Sequence, residues 1–140
     1  MRVVLDTCVL VSALRSNRGA SFQLVSLIPH PSFQISLSVG LYTEWCDVIS
    51  RPEHLPPGKT TPQAIAFLRY LASQAHLQNI HFLWRPCLKD PDDDMLLELA
   101  VAAGCPYIIT HNIRDFANTK PFGIQALTPR DFLNLIAHQP

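Results

Sequence analysis

Residues 90–116 read DPDDDMLLELAVAAGCPYIITHNIRDF, and this stretch decides the fold. Asp90-Pro91 has the form of a helix start, with proline at the first helical position, and Gly104 closes the helix. Three residues later Tyr107-Ile108-Ile109-Thr110 is an apolar, β-branched run that ends on a polar residue. A helix that feeds a short buried strand is one half of a β-α-β repeat. The rest of the chain supplies matching pieces.

Working outward, Val3-Val4-Leu5 is a buried-type strand ending at Asp6, and Phe33–Leu37 is a second. Ile80 to Trp84 is the third expected strand, 107–110 the fourth, and Ile124 to Leu127 a weaker fifth. Helical spacing fills the gaps. Residues 20–28 carry Phe22, Leu24, Val25 and Leu27-Ile28 on one side, and residues 38–49 repeat Leu41, Trp45, Val48 and Ile49 at intervals of three and four. Thr61-Pro62 opens a helix that runs to about Ala75, and Thr128-Pro129-Arg130-Asp131 opens the last one, with Asp131 in a capping-box position. RPEHLPPGKT at 51–60 is too rich in proline to be regular and reads as an exposed loop. Strands alternating with helices imply an α/β domain with a mainly parallel sheet covered on both faces. In such sheets the functional cleft lies beyond the carboxyl ends of the strands.

Composition bounds the function. A chain of 140 residues suits one domain, here 1–140, and 48% hydrophobic residues can fill its core. Eleven basic and eleven acidic residues cancel, so no long-range field favours non-specific nucleic-acid binding. Cys8, Cys46, Cys87 and Cys105 form no CxxC pair, which argues against zinc and disulfide frameworks and for free thiols in a reducing cytoplasm. No signal region precedes VVLDT and no apolar run approaches the roughly 20 residues of a membrane span. A soluble cytoplasmic protein is expected.

The acids are distributed unevenly. Asp6 follows the first strand, where on its own it is equally a helix cap. Glu44 lies in the second helical stretch beside Trp45. The 90–94 run holds four aspartates in five positions. A helix dipole accounts for one or two of them, yet like charges 4 Å apart repel by roughly 4 kcal/mol at an effective dielectric of 20. A divalent cation would reverse the sign for those that face it. Asp93 precedes Leu96 and Ala100 by three and seven residues and shares their inward face, whereas Asp92 and Asp94 are expected to cap or face solvent. Thr110, Asn112 and Asp115 lie at and just beyond the fourth strand. Asp6, Glu44, Asp93 and Asp115 thus fall at the carboxyl edge of the sheet or on helices that begin there. Oxygen donors without a matching set of His or Cys favour Mg²⁺ or Mn²⁺, a donor set suited to phosphodiester hydrolysis. No Gly-rich phosphate loop, G-x-S-x-G elbow or HExxH stretch suggests other chemistry. A haloacid-dehalogenase-type phosphatase would need a second Asp two residues after the first, where this chain has Cys8.

VVLDTCVLVSAL, Glu44 ahead of VISRP, the 90–116 stretch and GIQALTPRDFLNL together resemble the PIN-domain family, and within it the VapC-like toxin components of prokaryotic toxin–antitoxin pairs. The resemblance runs in order across nearly the whole chain; only the 51–60 loop and helix 62–75 are generic. It implies a three-layer α/β/α fold with a five-stranded parallel sheet ordered 3-2-1-4-5, a Mg²⁺- or Mn²⁺-dependent endoribonuclease, an RNA substrate, a cognate antitoxin partner and a homodimer. It also implies roles for particular residues. Asp6, Glu44 and Asp93 match the first three acids, Asp93 lying 11 residues before Gly104. Many relatives carry Asp where this chain has Asn112. Others have Asn there and use the later acid, here Asp115, which takes the fourth role, with Thr110 and Asn112 orienting it or the substrate. The Asn112 departure and the neutral charge leave open a PIN fold that only binds RNA or protein.

Overall fold

The structure, a computed structural model, describes residues 1–80 and 91–138, with side chains in the helix that starts at Pro91 described from Asp93 onward. Five strands alternate with helices. The strands are β1 (Arg2–Leu5), β2 (Gln34–Leu37), β3 (His76–Leu77), β4 (Tyr107–Ile109) and β5 (Gln125–Leu127). The helices are α1 (Thr7–Arg15), α2 (Ala20–Ser26), α3 (Val39–Ile49), α4 (Thr61–Gln74), α5 (Pro91–Ala103) and α6 (Pro129–Ala137), with 3₁₀ segments at Pro52–His54 and Ile113–Phe122. The sheet is parallel throughout and ordered β3-β2-β1-β4-β5. This is the α/β/α architecture expected from the sequence.

Register follows burial. Val3, Val4 and Leu5 of the central strand are all fully buried, although successive side chains point to opposite faces, so helices cover both sides. Val3 lies opposite Ile35 on one side and Tyr107 on the other. From α3 come Leu41, Trp45 and Ile49, from α4 Leu68 and Leu71, and from α6 Phe132, each fully buried.

Two boundaries differ from the sequence reading. The third strand is His76–Leu77, paired with Ser36 and Leu37, whereas Ile80 lies outside it and 81–84 fall outside the described residues. An edge strand of two residues, with Leu77 70% exposed, needs no apolar run to mark it. The cap of α4 is Thr60 rather than Thr61. Its hydroxyl accepts from the Gln63 amide at 3.3 Å, while the Gln63 side chain accepts from the Thr60 amide at 2.9 Å. That reciprocal pair selects the earlier threonine. The residues that follow the cap position of Asp6 form α1, Thr7–Arg15. The expected cap Asp90 of α5 lies outside the described residues; at the other end of α5, Gly104 takes the left-handed conformation, φ 69°.

Gly40 on α3 faces the Met95 side chain of α5. A Cβ there would stand 3.0 Å from Met95 Sδ. Gly40→Val is therefore expected to cost about 1–3 kcal/mol through forced separation of the two helices, read as a lower denaturant midpoint. An unchanged midpoint would mean that Met95 swings aside freely.

Candidate metal centre at the carboxyl edge of the sheet

Asp6 extends β1 by one ladder bond, its amide donating to the Ile109 carbonyl at 2.9 Å. Its backbone has the extended geometry of a helix cap, φ −66° and ψ 145°, yet its side chain makes no cap bond to α1. The carboxylate instead accepts from the Thr110 hydroxyl at 2.8 Å, inside the protein. Asp6 is only 9% exposed. A carboxylate withdrawn from the available helix cap and fixed across the sheet serves something other than α1.

Around it the neighbours form a chain of bonds. Thr110, fully buried, donates to Asp6 and accepts from the Asn112 amide at 3.0 Å, and the Asn112 carbonyl accepts from the Asp115 amide at 3.1 Å. Asn112 precedes the 3₁₀ segment without capping it by its side chain. On the other side of Asp6, the Thr7 hydroxyl donates to Glu44 Oε2. Glu44 is half-buried on α3, and Ser38 caps that helix by accepting from the Leu41 amide at 3.2 Å. Glu44 is thereby tied to Thr7, the residue that follows Asp6.

The other predicted acids lie on different elements. Asp93 is half-buried in the first turns of α5, and Asp115 is exposed in the first turn of its 3₁₀ segment. Asp94 corrects the sequence reading. Expected to cap or face solvent, it is only 3% exposed, as is Glu98, four residues on, at 5%. One inward face was assumed for α5, but this helix packs against β1, β2, β4, α3 and the 3₁₀ segment, so most of its circumference is buried. Glu44, Asp93, Asp94 and Glu98 all have interaction partners. Among the described residues, no three of His, Cys, Asp and Glu stand together as a ready ligand set.

The sequence reading assigned Thr7 no role, and its only signal was a hydroxyl directly after the strand-end acid. His111 is exposed, with Nε2 3.0 Å from Ser21 Oγ, which links α2 to the loop after β4. Burial pushes the Cys8 thiol up to about 11, with the Asp6 carboxylate adding to the shift. At pH 8 its thiolate fraction is about a hundredfold below that of a thiol titrating at 9.0, so Cys8 is no nucleophile. The folded value lies above the unfolded one, so its stabilising contribution is complete below pH 9.0 and is lost as pH rises towards about 11. Slow alkylation at pH 8, and a denaturation midpoint that falls across that alkaline window, are expected. Fast labelling of Cys8 in the folded protein would contradict the raised thiol.

A profile of the PIN domain matches residues 2–114. The chain belongs to the PIN-domain family. The matched span takes in Asp6, Glu44, Asp93, Thr110 and Asn112 and stops one residue short of Asp115. Among solved structures, this PIN domain is similar to a chain of VapBC-1 from nontypeable Haemophilus influenzae. The TM-score is 0.63 at 16% identity, covering 93% of this chain and 99% of that one. At that identity the likeness concerns the fold. A comparison with curated proteins finds no match. Among the described residues, no helix is long and apolar enough to cross a membrane.

Proposed function

We propose that this single PIN domain is a Mg²⁺- or Mn²⁺-dependent endoribonuclease, the toxin of a toxin–antitoxin pair, cytoplasmic and homodimeric. The observation that carries the reading is the Asp6 carboxylate, placed at a helix cap but bonded to Thr110 instead. Membership of the PIN-domain family and the fold shared with a VapBC-1 chain support the nuclease and the antitoxin partner.

The donor chemistry fits a hard divalent ion. Asp6, Glu44, Asp93 and Asp115 offer oxygen only, and they would hold it. When bound, the ion supplies Lewis-acid polarisation of the scissile phosphate and a more acidic water. The chain's own residues supply position. Thr7 aims Glu44, Thr110 aims Asp6, and the Asn112 backbone locks the Thr110 hydroxyl so that its proton points at the carboxylate. Burial of Asp6, Thr7 and Thr110 keeps these bonds out of competition with water.

The test is cleavage of single-stranded RNA by purified protein. Cutting is expected with Mg²⁺ or Mn²⁺ and is expected to stop with chelator. Cleavage unaffected by chelator would overturn the metal assignment. A second reading is a PIN fold with weak or no catalysis that binds RNA or protein. Exposed Asp115 and the amide at Asn112 favour it. Calorimetry separates the two, because the binding-only reading has no Mn²⁺ uptake that depends on Asp6.

A further inference from the structure

A groove of about 470 Å³ runs between α1 and α3 directly beside the carboxylates. Thr7, whose hydroxyl holds Glu44, forms its inner end. Val11 and Val48 give it apolar sides, Ser12 adds a hydroxyl, and Arg15 and His54 stand at the outer end. Among the described residues, no carboxylate side chain lines it. Its size is within the range of small-molecule sites, about 300–1,000 Å³. We propose that this groove seats the nucleotide next to the scissile phosphate, with its base between Val11 and Val48 and its phosphate on Arg15.

The chemistry of each end supports that occupant. The Arg15 guanidinium is exposed and donates to the Glu53 carbonyl at 3.3 Å, and among the described residues it makes no ion pair. Its charge is therefore held in place by a neutral acceptor and stays available to a phosphate. His54 Nδ1 lies 2.7 Å from the Val48 carbonyl. A carbonyl only accepts, so Nδ1 carries a proton here, and in a singly protonated ring Nε2 is the acceptor open to a base N–H. Apolar walls, a cation and a base-edge acceptor in one groove that ends at Thr7, the residue bonded to Glu44, match a single-stranded RNA backbone leaving the cleavage point. The assignment rests on the RNA-cleaving reading of the adjacent carboxylates.

The test separates the two claims by measuring binding without cleavage. Fluorescence anisotropy of a labelled single-stranded RNA oligonucleotide in EDTA reads the groove alone. Ser12→Trp, which fills the groove, is expected to weaken binding about tenfold, the scale of one lost base contact. Arg15→Gln is expected to weaken binding uniformly across sequences and to lower the salt-dependence slope by about 1. Arg2→Gln, at the opposite edge of the sheet, serves as the control and is expected to change neither. If wild type binds no RNA, or if both groove variants bind and respond to salt as wild type does, the groove assignment is overturned. Arg15 is exposed, so its variant folds even if Ser12→Trp does not. Groove variants that bind like wild type while metal-dependent cleavage persists would sink this inference alone; absent cleavage with intact groove-dependent binding would sink only the nuclease reading.

Discussion

Asp6→Asn is expected to slow RNA cleavage by about 10²–10³-fold, the usual scale for losing one positioned electrostatic group. The substitution removes charge and almost nothing else. Asparagine keeps an oxygen that can accept from Thr110, and no cap bond is lost because Asp6 makes none. Stability should therefore stay within about 1 kcal/mol of wild type, the net worth of an ordinary hydrogen bond. The measurement is single-turnover cleavage alongside thermal unfolding. Cleavage at the wild-type rate by a folded Asp6→Asn protein would remove the carboxylate from the chemistry. Running Asp93→Asn and Asp94→Asn in the same assay sorts the two neighbours, since the reading assigns the cation to Asp93.

Phe132→Ala is expected to have the largest effect on stability, about 3–5 kcal/mol. Phe132 is fully buried on α6. Its ring meets the edge of Phe33 at 5.1 Å between centroids and 90° between planes, and it meets Tyr107 at 6.3 Å and 62°. Truncation leaves a cavity at the junction of β4, α6 and the turn before β2, and it abolishes both aromatic contacts. For a chain of this size the unfolding temperature should drop by roughly 10–20 °C. Folded Phe132→Ala protein at low temperature should keep its cleavage rate, because α6 supplies none of the carboxylates. A drop of only a degree or two would show that Phe33 and Tyr107 collapse into the space.

How much of this was legible in the sequence depends on how strongly each element is patterned. β1 and β4 are continuous apolar runs buried on both faces, so Val3–Leu5 and Tyr107–Ile109 could be read directly. So could Asp6 and Thr110, which end those runs. β3 was misplaced because an edge strand of two residues is selected by pairing with Ser36 and Leu37 and carries no pattern of its own. Asp94 was misjudged for the opposite reason. Periodicity assumes one buried stripe, and α5, wrapped on several sides, has no single stripe to reveal. The link from Thr7 to Glu44 spans 37 residues and depends on how α1 crosses α3, which no local window contains.

The strand order has a consequence for when the molecule becomes dangerous. β1 is made first but must wait for β4, about a hundred residues later, before Val3 meets Tyr107 and Thr110 can grip Asp6. A ribosome that has released β1, β2 and β3 has synthesised Asp6 and Glu44 but none of the partners that β4 brings. On the proposed reading, a half-made toxin is inert by construction. On that reading a truncated message yields a fragment without a complete site, and cleavage would begin only once β4 is made.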